Sequence, residues 1–332
     1  MNQSLVQCVV VMGPTATGKT RLGVALARQF HGEIIGADSR QVYRGLDIGT
    51  GKDLKEFGTG PERVPYHLID IADPTEDYHL FRFVADARQA IGDVLERGHL
   101  PIVVGGSALY LNALLDDYSL EGGEPDPELR RSLECLSEEA LLEILRREAP
   151  DIYARTDQTQ KRRIVRAVEI ARSRVPGSGN DAPPALDALL IAPYYKRQVV
   201  HERIAARLDE RLKEGLLDEV QALHDRGLSW ERLDYFGLEY RYVAQCLQGT
   251  LTLAEMREKL FFRIRRFCKS QDIWFRKMER AGKIIHWLPG GDLRKAIELV
   301  RLFLDGKPLP PPEIALKDTF YGPQSTPQAK AR

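Results

Sequence analysis

Gly13-Pro14-Thr15-Ala16-Thr17-Gly18-Lys19-Thr20 follows the apolar, β-branched run Val6 to Met12 and leads into a helical pattern that starts near Arg21. The spacing is G-x-x-x-x-G-K-[ST], and a strand before it with a helix after it is the setting in which such a loop binds phosphate. The glycines let backbone N–H groups turn toward one anion, the helix N-terminus adds positive potential, and Lys19 meets the phosphate oxygens. Gly13, Thr15, Ala16, Thr17, Gly18, Lys19 and Thr20 are therefore the candidate diphosphate-binding residues, with Thr20 the expected Mg²⁺ ligand through its hydroxyl. The loop by itself reports a di- or triphosphate. It leaves the reaction open, because nucleotide hydrolysis, phosphoryl transfer and departure of a pyrophosphate all need the same electrostatic cradle.

Outward from the loop, short apolar runs alternate with helical patterns: Glu33 to Ala37, His67 to Ile71 and Pro101 to Val104, with Leu186 to Ala192 and Lys283 to Leu288 as later strands. Alternation of this kind predicts right-handed βαβ units and a buried parallel sheet. From Asp126 to Arg174 the pattern is helical, with Leu129, Leu133, Leu136, Leu141, Leu142 and Leu145 marking apolar faces. Val175 to Ala185 reads as a flexible return loop, and helical patterns resume from Gln198 to Arg226 and from Leu253 to Ala281. The expected fold is α/β: a P-loop NTPase-like parallel sheet flanked by helices, with a helical insertion domain. Residues 1–122 begin the core, 123–180 form the insertion, 181–306 complete the core with basic helices, and 307–332 are expected to be a disordered tail.

The segment Asp38-Ser39-Arg40-Gln41-Val42-Tyr43-Arg44-Gly45-Leu46-Asp47-Ile48-Gly49-Thr50-Gly51-Lys52 places Asp38 at the carboxyl end of the second strand, the edge where open α/β sheets bind ligands. Together with the loop it resembles the tRNA dimethylallyltransferase family, also called tRNA isopentenyltransferases. The resemblance continues in Pro65-Tyr66-His67-Leu68-Ile69-Asp70, Val104-Gly105-Gly106-Ser107-Ala108-Leu109-Tyr110-Leu111, Arg162-Arg163-Ile164-Val165-Arg166-Ala167-Val168-Glu169, Arg266-Phe267-Cys268-Lys269-Ser270-Gln271 and Trp274-Phe275-Arg276. It implies transfer of a dimethylallyl group from dimethylallyl diphosphate to the N6 amine of an adenosine beside the anticodon of tRNA. That amine is a weak nucleophile, so a carboxylate that takes its proton assists attack on an allylic carbon.

By this resemblance Asp38 is the general base, and Ser107 and Arg207 complete the catalytic set at the diphosphate. Asp38, Ser39, Arg40, Gln41, Ser107, Arg130, Arg162, Arg163, Arg166, Arg265, Arg266, Lys269 and Gln271 become the implied tRNA contacts. On the residues alone, Asp38 and Ser107 read equally as a turn residue and a helix cap, and Arg203 and Arg207 as one solvated helix face beside Asp209 and Glu210. Ser107 stands where threonine is usual in the family, Asp53 where proline is, and Glu239 where glycine is. The last two departures touch the acceptor side. Asp70 is a candidate outer partner for the metal, and His67 and His201 read as structural.

Lys+Arg and Asp+Glu are both 48, so no overall field draws the molecule to nucleic acid and any RNA surface is local. Arg257 to Lys283 carries ten basic and three acidic residues among Phe261, Phe262, Phe267, Trp274 and Phe275. This pattern fits an RNA-facing helix with its aromatics buried on the other side, or a plain solvated face. Lys161 to Arg174, with six basic residues and one acidic, is a second cluster, and phosphate contacts from two patches would grip a stem-loop without reading sequence. Cys8, Cys135, Cys246 and Cys268 lack paired spacing and read as reduced packing residues. With no leader pattern and no membrane-length apolar run, the chain reads as cytoplasmic, without an obligate protein partner. The alternative functions are prenylation of a free adenylate, an ATP-dependent small-molecule kinase and a non-catalytic RNA-binding ATPase.

Overall fold

In strand β1 (Val6–Met12) successive side chains take opposite faces: Val9 and Val11 enter one apolar core, Val10 and Met12 another, and all four are fully buried. A strand buried on both faces needs helices on both sides, and the computed structural model, which describes residues 6–115, 126–173 and 186–319, has that arrangement. With β2 (Gly32–Gly36), β3 (Tyr66–His67), β4 (Leu100–Gly105), β5 (Leu186–Tyr194) and β6 (Ile285–Pro289), β1 forms a six-stranded sheet in the order β3-β2-β4-β1-β5-β6. Every neighbouring pair is parallel. All the carboxyl ends therefore open on one edge.

The helices of the first part are α1 (Lys19–Phe30), α2 (Leu80–Glu96) and α3 (Ala108–Leu115), followed by α4 (Pro127–Glu134), α5 (Glu138–Glu148), α6 (Pro150–Arg155) and α7 (Lys161–Ser173). After β5 come α8 (Arg197–Glu214), α9 (Leu216–Asp225), α10 (Trp230–Tyr235), α11 (Leu238–Leu247) and α12 (Leu253–Arg280), and α13 (Leu293–Leu304) follows β6. Leu22 and Leu26 of α1 and Leu299 and Val300 of α13 cover one face of the sheet. Phe83, Leu111, Ile204, Val220, Tyr240 and Leu260 belong to the larger core on the other. Helices α4 to α7 pack a third core of their own around Leu133, Leu141, Leu145, Ile164 and Val168. None of the described helices is long and apolar enough to cross a membrane.

Three expectations change. The strand expected over His67 to Ile71 is only Tyr66–His67, because Leu68 and Asp70 take left-handed φ of 60° and 58° and turn the chain off the sheet. The turned segment instead donates from Asp70 and Ile71 N–H to the carbonyls of Gln41 and Val42. The tail expected to be disordered from 307 onward is placed as far as 319: Leu316 is buried, and the Glu279 carboxylate accepts from Leu316 N, Lys317 N and Trp287 Nε1. A few apolar residues suffice there because a buried carboxylate anchors the backbone. Residues 320–332 and the expected return loop 175–185 lie outside the described residues. Cys8 and Cys268 are buried as expected, whereas Cys135 is exposed at the end of α4.

Glu33, buried in β2, binds Arg97 through two hydrogen bonds of 2.9 and 2.8 Å and also meets His67 and His99, each at 2.6 Å. Burial alone would raise its carboxyl, but the bonds from Arg97, then from His67 and His99, outweigh it and hold the carboxyl down to about 2. A group depressed from its ordinary 4.5 contributes stability above that value and loses it as pH falls toward about 2. Arg97 is half exposed, so the contribution is on the order of 1–2 kcal/mol. Urea midpoints measured from pH 6 to pH 3 should fall less steeply for Glu33→Gln than for the wild type, and equal slopes would count against this linkage.

Candidate active site

Beyond Met12 the loop closes on itself: Thr17 Oγ1 and Lys19 Nζ both donate to Pro14 O, at 2.8 and 2.7 Å. Helix α1 starts from Gly18 at φ 79°, with no capping side chain and no acidic residue in its first turn. Its first N–H groups and its dipole are thus left for an anion. Burial, and then the charge of Arg207, push the Lys19 ammonium down to about 8, while Asp38 works in the opposite direction. A bound phosphate would restore the ammonium by supplying the missing negative charge.

The opposite wall is built at the end of β2. Asp38 Oδ1 accepts from Arg40 N at 2.9 Å and Gln41 N at 3.4 Å, and Asp38 lines the cavity. Ser39 N donates to Ser107 Oγ at 3.2 Å, so the start of α3 is fixed against this turn and the Ser107 proton stays available to a ligand. Gly105 allows the approach, since a Cβ there would lie 2.1 Å from Ala37 O. Gln271 of α12 ties the two walls together, accepting from Thr15 N at 3.0 Å and donating to Gly106 O at 2.8 Å.

Two arginines four residues apart on α8 form the third side. Arg207 donates to Asp53 Oδ2 at 2.7 Å and Gly51 O at 3.3 Å, and Arg211 donates to Glu239 Oε1 at 3.3 Å and Gly49 O at 3.2 Å. Burial raises the Glu239 carboxyl, with Arg211 opposing. The turn they contact is held from behind by Glu219, which accepts from the N–H groups of Asp47, Ile48 and Gly49 and from Tyr240 Oη. Fully buried Lys52 completes it, bonded to Tyr43 O, Asp47 and Asp70. The cavity, open to solvent on one side, measures 410 Å³. It sets a cationic helix N-terminus and a carboxylate on facing walls, an arrangement suited to displacement of a diphosphate with uptake of a proton.

Thr15, Ala16, Gly18, Lys19, Thr20, Asp38, Ser39, Arg40, Gln41, Ser107, Arg207 and Gln271 all line this cavity, while Thr17 lines a second one, of 720 Å³, behind the loop. The basic residues of the insertion lie apart from it. Arg130 and Arg166 converge on buried Glu169, at 2.8 and 3.1 Å, whereas Arg162 and Arg163 are exposed at the start of α7. Arg265, Arg266 and Lys269 line the second cavity with Phe262, Tyr195 and Trp287.

Gln271 departs from its expected role as an RNA contact, because it is buried with both ends of its amide bonded to backbone. The aromatics of α12 depart as well. The buried stripe runs Leu260, Ile264, Cys268, Gln271, Phe275, so Phe275 is covered but Phe262, Phe267 and Trp274 fall beside it and are 53%, 49% and 38% exposed. Asp70, expected as an outer partner for the metal, does not line the cavity and is paired with Lys52. Arg211 could have been found from its spacing to Arg207. Glu219 and Lys52 give no local signal.

The family model described as IPP transferase matches residues 41–278, and one described as isopentenyl transferase matches residues 6–70. The tRNA dimethylallyltransferase 1 of Syntrophus aciditrophicus is 46% identical over 286 residues, covering 86% of this chain and 94% of the relative. The crystal structure of tRNA isopentenylpyrophosphate transferase from Bacillus halodurans superposes with a TM-score of 0.63 at 34% identity, over 90% of this chain and 96% of that one. A eukaryotic dimethylallyltransferase acting on tRNA gives a TM-score of 0.78 at 25% identity, over 91% and 80%.

Gly51 has φ 62°, and a Cβ on it would meet the guanidinium nitrogens of Arg211 at 1.7 Å and Arg207 at 2.3 Å. Gly51→Ala should therefore weaken binding of inorganic pyrophosphate by about tenfold or more, since a displaced charge-assisted donor costs about 1.5–3 kcal/mol. Calorimetric titration checks it, with circular dichroism to show that the sheet is intact. Unchanged affinity would remove the arginines from the anion site.

Proposed function

The chain belongs to the tRNA dimethylallyltransferase family, and from that premise we propose that it transfers a dimethylallyl group from dimethylallyl diphosphate to the N6 amine of an adenosine beside the anticodon of tRNA, releasing diphosphate. The observation that carries this reading is the single cavity in which Asp38 stands across from the N-terminus of α1. In the reaction the allylic carbon–oxygen bond breaks, a bond from N6 to that carbon forms, and the N6 proton passes to the Asp38 carboxylate. Lys19, Arg207 and the first N–H groups of α1 hold the departing diphosphate, where negative charge develops. The Ser107 hydroxyl donates to the same group. Asp38 is kept in place by its two bonds from the backbone of residues 40 and 41.

The donor set suits Mg²⁺. Thr20, in the first turn of α1 and on the cavity wall, would hold the ion through its hydroxyl, with water and substrate phosphate completing the shell. When bound, Mg²⁺ would neutralise charge on the diphosphate. For the tRNA, the exposed Arg162 and Arg163 and the Arg265, Arg266 and Lys269 cluster with exposed Phe262 supply two separated phosphate contacts. Arg40, stacked 4.6 Å above the Tyr235 ring at the cavity wall, and Ser39 and Gln41 beside it, frame the adenosine. Acting on tRNA, the enzyme would work in the cytoplasm.

Incubation with dimethylallyl diphosphate, Mg²⁺ and unmodified tRNA, without ATP, should yield a prenylated adenosine on nucleoside mass analysis. Prenylation of free AMP in place of tRNA, or a reaction that requires ATP, would contradict the proposal. Lys19→Ala and Thr20→Ala should each lower turnover by on the order of 10²-fold, as removal of one transition-state donor does elsewhere. Normal turnover in both would place the donor outside the loop. Arg265→Ala with Lys269→Ala should raise the KM for tRNA and flatten its salt dependence, and a wild-type salt slope would make this face a solvated surface.

A further inference from the structure

Two carboxylates beside the donor groups, Asp53 and Glu239, have no part in that reaction, and each is bonded to one of the paired arginines of α8. The two pairs differ in depth. The side chains of Arg211 and Glu239 are 11% and 21% exposed, and those of Arg207 and Asp53 are 29% and 44% exposed. Parting the inner pair would strand buried charge, which is costly. The outer pair can exchange, since water and a ligand both reach it. Asp53 is also unusual for its place in the chain. It precedes the 3-10 turn Leu54–Phe57 as its N-cap, a position where aspartate normally accepts from the turn's own N–H groups, yet its side chain caps nothing and is turned to Arg207.

We propose that Asp53 sets the affinity for the donor: it holds Arg207 as a releasable counter-ion, and the diphosphate takes its place on the guanidinium while Glu239 keeps Arg211 fixed. The inference rests on the donor-site reading above. The exchange leaves Arg207 with one anionic partner before and after binding, so part of the attraction between Arg207 and the diphosphate is spent on displacing Asp53. The displaced carboxylate stays near a second anion, which lowers affinity further, for the donor and the released diphosphate alike. Lys19 and the N-terminus of α1 have no comparable competitor among the described residues, where Lys19 is bonded to a carbonyl and to no carboxylate.

The test is calorimetric titration of inorganic pyrophosphate, with Mg²⁺, into wild type, Asp53→Asn and Glu56→Gln. Asparagine keeps the left-handed backbone at this position, φ 50°, with little strain. Glu56 lines the same cavity but is bonded to neither arginine, so it reports the general effect of removing one negative charge. Asp53→Asn should tighten pyrophosphate binding about 3- to 10-fold, and Glu56→Gln by less than about 2-fold. Asp53→Ser, with the same expected gain, serves if the asparagine variant does not fold. Binding that is unchanged or weaker in the Asp53 variants, or an equal gain in Glu56→Gln, overturns the inference alone. Failure of the wild type to bind pyrophosphate would overturn the donor-site reading and this inference with it.

Discussion

The amide of Gln271 accepts from Thr15 N and donates to Gly106 O, and this one side chain keeps the walls of the cavity in register. Each wall is a loop at the carboxyl end of a strand, and such loops are free to splay unless something behind them fixes their spacing. The fixing element is α12, a helix of 28 residues that starts at a capping box, Thr252 and Glu255, and whose apolar stripe packs it into the core it shares with α3, α8 and α11. A buried amide with both ends satisfied adds rigidity, and half-satisfied it would be costly. The geometry of the phosphate loop therefore depends on a residue more than 250 positions away.

Around this clamp three cations of the cavity wall each have a partner in the protein. Lys19 lies on a carbonyl, Arg207 on Asp53 and Arg211 on Glu239, while Lys52 neutralises two carboxylates beneath the turn that carries Gly49 to Gly51. Preorganisation of this kind lowers the reorganisation needed when a diphosphate develops charge. A chain with no net charge can still offer an anion site, at the uncapped N-terminus of α1. The attraction is local and set by burial.

That Gly13 to Thr20 joins a strand to a helix could be read from the sequence, because glycines and a lysine stand at fixed spacing after an unbroken apolar run. Five of the six strands were legible too, since burial on both faces leaves unbroken apolar runs, whereas β3 ends at His67 because left-handed Leu68 and Asp70 turn the chain within an equally apolar stretch. What escaped was tertiary. Glu219 gathers three backbone N–H groups 170 to 172 residues away, and nothing around it marks that role. Gln271 sits inside a recognisable motif, yet only the packed structure distinguishes a clamp from an RNA contact. The aromatics of α12 were misassigned because composition does not state phase, and a shift of one position on a helix moves a side chain by 100°. The tail beyond Gly306 looked too polar to pack, but Glu279 holds it by its backbone, a contact independent of its side chains.

Asp38 is proposed to take the proton from the attacking amine in the cavity whose other wall holds the diphosphate. The most direct test is the single-turnover rate of Asp38→Asn at saturating tRNA and dimethylallyl diphosphate, a change that keeps size and hydrogen-bonding capacity while removing the base. The rate should fall by about 10²- to 10⁴-fold, with tRNA and pyrophosphate binding little altered. A near-normal rate would contradict the claim and make Asp38 an ordinary turn residue.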